Sequence, residues 1–100
     1  MTLNYQSTDP LPMSLTAFDL DNIRGILSEP TRYDWFAAVM LRTAQKANQH
    51  NMRKIAKEWP DIAAAFLIYH TGTIPESFRD VIPGWESYIT MMRPHIFKEH

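Results

Sequence analysis

The chain has no cysteine and only three glycines, and no apolar run in it is long enough to cross a bilayer. Without cysteine there is no disulfide and no thiolate-held zinc, so the fold must stand on packing, and a reducing, cytoplasmic setting is expected. Gly25, Gly72 and Gly84 stand apart from one another, which excludes a Gly-rich phosphate loop. The most apolar stretch, Ile62 to Tyr69, falls far short of the ~20 residues that a membrane helix needs. No basic start followed by an apolar run marks a leader. A His-Glu-x-x-His pair, a Gly-x-Ser-x-Gly elbow and a cysteine nucleophile are all missing, so a non-enzymatic protein without a cofactor is expected.

What is present begins with ordinary globular composition: 100 residues, 45% hydrophobic and 21% charged, with a net charge of -1. That length fits a single domain, since cores commonly occupy ~100 to 150 residues. The charges are sorted along the chain. Residues 1–34 hold Asp9, Asp19, Asp21, Glu29 and Asp34 against Arg24 and Arg32. Residues 35–57 hold Arg42, Lys46, Arg53, Lys54 and Lys57 and no acid. A nearly neutral chain that segregates its bases in this way can carry a local positive field.

Periodicity and caps predict an all-α fold of four or five short helices, in a compact bundle or orthogonal array. Residues 1–13, with two prolines and no periodicity, read as an extended or disordered arm ahead of a helical domain over 14–100. Thr16 with Asp19 predicts the cap of a first helix, whose inner face is Phe18, Ile23, Ile26 and Leu27 and which stops before Pro30. Gly25 weakens it by ~1 kcal/mol relative to alanine. Thr31 with Asp34 predicts a second cap, followed by a stripe of Phe36, Val39, Met40, Thr43, Ala44 and Ala47. Asn48-Gln49-His50-Asn51 predicts a break, because asparagine competes for backbone bonds. Met52, Ile55, Ala56 and Trp59 then form the inner face of a third helix. Pro60 suits the first turn of a fourth, and Gly72 suits its stop. The fourth helix is apolar all round, which makes it the core helix and places Phe66 among the most buried residues. Residues 73–82 read as a loop, and Pro83 opens a last helix with Trp85, Tyr88, Ile89 and Met92 inward, ending at Pro94.

The stretch from Asp34-Trp35-Phe36-Ala37-Ala38 through Lys46-Ala47-Asn48-Gln49-His50-Asn51 to Ile55 and Trp59-Pro60 resembles a pattern in small phage and prophage proteins. In that pattern an aromatic-alanine helix start leads to an arginine-alanine-aspartate-x-x-asparagine junction and then an amphipathic helix. Here the junction reads Lys46, Ala47 and Asn48, which removes an acid from the middle of the basic block. The resemblance covers roughly residues 22–72. It implies a phage accessory protein with an all-helical fold, and it brings no catalytic residues with it.

If the second and third helices pack side by side, Arg42, Lys46 and Arg53 can converge at their junction, where free helix N–H groups also favour an anion. His50, when protonated, adds to that field, and Lys54 and Lys57 extend it. Tyr33 and Trp35 can stack on bases beside it. The plainer readings stand next to these: bases that only solvate outer helix faces, and aromatics that cover a helix end or a homo-oligomer contact. His50, His70, His95 and His100 share no ligand spacing, and Asp19 and Asp21 point to different helix faces, so no metal site is expected.

Three functions follow from these residues. The first is a protein that blocks or sequesters a host component, whether an immune effector protein or its anionic nucleotide signal. The second is a nucleic-acid-binding regulator, and the third is an assembly factor that docks an acidic protein. Membrane binding is not expected.

Overall fold

The computed structural model describes residues 13–98. Six α-helices and one 3₁₀ helix occur there, and no strand among the described residues. They are α1 (Ala17–Asp21), α2 (Ile23–Ser28), α3 (Phe36–Lys46), α4 (Gln49–Glu58), α5 (Pro60–Thr71), the 3₁₀ helix (Glu76–Val81) and α6 (Trp85–Ile96). The all-α expectation stands with a higher helix count. The arm expected over residues 1–13 lies outside the described residues except for Met13, which packs against the core. His100 also lies outside them.

The core is organised around α5, which packs against α3, α4 and α6. Ile62, Ala63, Ala64, Ala65, Leu67 and Ile68 are all buried. Three successive alanines keep the helix thin, so that neighbours approach it on several sides. Pro60 sits in its first turn, and Gly72 ends it at φ 84° in the left-handed region, where glycine has no Cβ penalty. Phe66 is half-buried instead of central, because α5 turns that position toward the surface.

The predicted first helix divides at Asn22 into α1 and α2. Its start follows the sequence: Thr16 Oγ1 accepts from the Asp19 N–H at 3.3 Å, and the Asp19 carboxylate accepts from the Thr16 N–H at 2.9 Å. Phe18, expected inside, is exposed, because the break at Asn22 separates its face from that of Ile23, Ile26 and Leu27. Gly25 has a steric reason. A β-carbon there would lie 2.9 Å from the Tyr33 hydroxyl oxygen, so the glycine lets Tyr33 lie across α2.

The start of α3 differs from the Thr31–Asp34 expectation. The helix begins at Phe36, with Trp35 at the N-cap and no side-chain cap bond. Its inner face is Ala37, Ala38, Leu41 and Ala44, while Phe36 and Val39 are exposed. Phe36 and Val39 put large apolar side chains on the other side as well, but the alanine face is the one that packs against α5 and α2.

Between α3 and α4 the chain leaves the helix at Ala47, and the Asn48 side chain caps α4 by accepting from the Asn51 N–H at 2.8 Å. Met52 and Ala56 are buried as expected, with Ile55 and Trp59 packed at the margin. The segment 73–82 contains the 3₁₀ helix rather than only a loop. Pro83 precedes α6 without opening it, because Gly84 adopts φ 77° and the helix starts at Trp85. Pro94 does not end α6. It lies in the last turn, where the lost N–H breaks only one bond, and the residues beyond it are tied down. His95 Nδ1 lies 2.9 Å from Asp21, and Lys98 lies 3.6 Å from it.

That hydrogen bond to His95, with the nearby Lys98 charge, holds the Asp21 carboxyl below its ordinary 3.8. The α1–α6 tie is therefore complete above the carboxylate range and is lost as pH falls through it. No helix among the described residues is long and apolar enough to cross a membrane.

Candidate binding groove at the α3–α4 junction

The α3–α4 connection and the C-terminal half of α5 enclose a groove of about 470 Å³. Its base is formed by Met52, Leu67 and Phe78, all buried. One wall is a stacked aromatic pair. Phe66 and His70, one turn apart on α5, have ring centroids 5.6 Å apart and planes inclined by 11°. The opposite rim carries three carboxamides, Gln45, Asn48 and Gln49, all exposed. The Asn48 oxygen is occupied by its cap. Its NH₂, and both groups of each glutamine, have no partner among the described residues.

The sequence-predicted bases are placed differently from one another. Arg42 Nη1 donates to the Ile26 carbonyl at 3.1 Å and so satisfies an end of α2. Lys46 lies on the same side of α3, lining with Arg42, Val39 and Thr43 a shallow depression of about 160 Å³. Arg53 is committed elsewhere. Its guanidinium donates to the Ser77 carbonyl at 2.6 Å and forks onto both Asp80 oxygens at 3.0 and 2.6 Å. Such two-pronged pairs fix geometry as well as charge. The fork holds Asp80 below its ordinary 3.8, with a smaller pull from Lys57, and raises Arg53.

Arg53 thus pins the 3₁₀ helix, and with it Phe78, against α4. The acid that the basic block lacks in sequence arrives from the 3₁₀ helix. His50, Lys54 and Lys57 are exposed and make no salt bridge among the described residues. Arg42 and Arg53, expected to converge, hold different partners on different elements.

The two aromatics have structural anchors. Trp35 Nε1 donates to Asp19 at 2.8 Å, and Tyr33 stands edge-on to Trp35 at 5.5 Å. The groove's own aromatics, Phe66 and His70, escaped the sequence reading as site residues. Their i, i+4 spacing was the available signal, masked by the apolar run around them. Among the described residues no group of three or more His, Asp or Glu side chains is placed to hold a metal ion. No protein-family model, curated protein or solved structure matches the chain.

Proposed function

We propose that the protein is a non-enzymatic binding protein that holds a planar, nucleotide-like ligand in the junction groove and so sequesters a signal of a host cell. The observation that carries this reading is the pairing of the stacked Phe66–His70 rings with two free glutamine carboxamides and the Asn48 NH₂ on a groove of about 470 Å³. A nucleobase needs both parts: a face to stack on and an edge of donors and acceptors. Carboxamides supply donor and acceptor together. Lys46 stands between rim residues Gln45 and Asn48 in sequence and His50 follows Gln49, and the phosphate of a nucleotide would be drawn to the lysine's charge. The resemblance to phage accessory proteins supports a host setting.

The test is calorimetric titration with nucleosides and with nucleoside monophosphates. Binding in the micromolar range is expected. His70→Ala should weaken both ligand sets at least tenfold, and Lys46→Ala should weaken the monophosphates alone. No heat from any of them at roughly 1 mM would overturn the reading. Binding only to DNA or RNA strands, with steep salt dependence, would move the function to nucleic-acid regulation.

A further inference from the structure

The outer face of α3 is only partly used by the fold: Phe36 stands edge-on to Trp59, with ring centroids 6.1 Å apart, and the rest of its ring and Val39 stay in the open. Phe36 is 59% exposed and Val39 43%, flanked by Phe18 at 58% and Trp35 at 38%. Large apolar side chains gathered on one face of a small protein mark an interaction surface. We infer that this face is the contact of a homodimer in which α3 packs antiparallel against α3 of a second copy.

The register argues for a second copy. Along the exposed stripe stand Phe36, Val39, Thr43 and Lys46. Reversing the helix about Leu41 lays Phe36 over Lys46 and Val39 over Thr43, so the stripe is complementary to itself, as a two-fold interface requires. Charge selects the direction. Asp34 is exposed just before the helix, Lys46 is exposed in its last turn, and neither forms an ion pair among the described residues. An antiparallel pair brings each Lys46 stem across the ring of the partner copy's Phe36, with its ammonium near the opposing Asp34. A parallel pair would set lysine against lysine.

α3 has 11 residues and is about 16 Å long. That is short for an interface, since a standard one takes about 800 Å² from each partner. The dimer is therefore weak, forming in the micromolar range.

Analytical ultracentrifugation over a concentration series tests this directly. A monomer–dimer equilibrium is expected, with Lys46→Glu weakening it at least tenfold by placing acid against Asp34. Combining Asp34→Lys with Lys46→Glu should restore it, because the reversed charges pair again. Phe36→Ser should leave a monomer, and circular dichroism serves as the folding control for these surface variants. A protein that stays monomeric at every concentration overturns the inference. So does a dimer unaffected by Phe36→Ser or Lys46→Glu, or one that the double reversal fails to restore. His70→Ala, in the groove, should leave dimerisation unchanged, which separates this result from the ligand reading.

Discussion

Asp61→Ala should destabilise the protein by about 2–3 kcal/mol, the net of three backbone N–H groups losing their acceptor and one buried carboxylate being removed. Asp61 is 1% exposed. It accepts from the Leu15 N–H at 3.0 Å and the Ile62 N–H at 2.9 Å, and also from the Ser14 N–H. It therefore fastens the segment before α1 to the N-terminus of α5. Asp61→Asn keeps one acceptor oxygen and should cost less, about 1 kcal/mol. The two variants also separate packing from charge. Burial pushes the Asp61 carboxyl above its ordinary 3.8, against the pull of the backbone N–H groups.

A raised folded value means that the native state keeps a proton that the unfolded chain gives up. This site's contribution is thus fullest below 3.8 and declines as pH rises through the raised value. The difference in stability between wild type and Asp61→Asn should shrink over that rise, the reverse of the trend set by Asp21 and Asp80. Chemical denaturation across the acid range measures it. An alanine variant within about 0.5 kcal/mol of wild type would show that water replaces the carboxylate at no cost.

The sequence announced helices far better than it announced faces. Caps with a unique chemical signature were legible: Thr16 with Asp19, Asn48 at the break, Pro60 at the start of α5 and Gly72 at its end. Each depends on neighbours in the chain. The inner face of α3 was only partly legible: Ala44, on the expected stripe, is buried, with Met40 and Ala47 packed at the margin, but Phe36 and Val39 outrank alanine on any hydrophobic count and are exposed. What decides the face is how closely α3 can approach α5, and Ala37, Ala38 and Ala44 around the single large Leu41 permit that approach.

Asp61 was hidden for a related reason. An acid in a first turn reads as a dipole partner, and its burial arises only when Ser14 and Leu15, over forty residues earlier in the chain, fold across it. The binding residues follow the same division. The bases were visible as a block in the chain, but the commitment of Arg53 to Asp80 and of Arg42 to Ile26 depends on long-range packing. The groove itself lay partly within the junction that the sequence singled out, through Asn48 and Gln49.

Ile68→Ala should be the more damaging of two substitutions on α5, costing about 3–4 kcal/mol, while Phe66→Ala costs about 1–2 kcal/mol. The sequence alone ranks them the other way, since phenylalanine is the larger side chain in an all-apolar helix. Ile68 is fully buried, so truncation leaves a cavity that the surrounding side chains can close only in part. Phe66 is half-buried and faces the groove, so water enters where its ring stood and no sealed void forms. The functional consequence runs in the opposite sense. Phe66→Ala removes half of the stacked pair and should abolish nucleoside binding in a protein that still melts cooperatively. Ile68→Ala should retain binding below its lowered melting temperature, because Ile68 does not line the groove. Thermal melts paired with calorimetric titration read both effects on the same samples. Equal stability losses would mean that position 66 is as enclosed as position 68, leaving the groove too shallow to take a base.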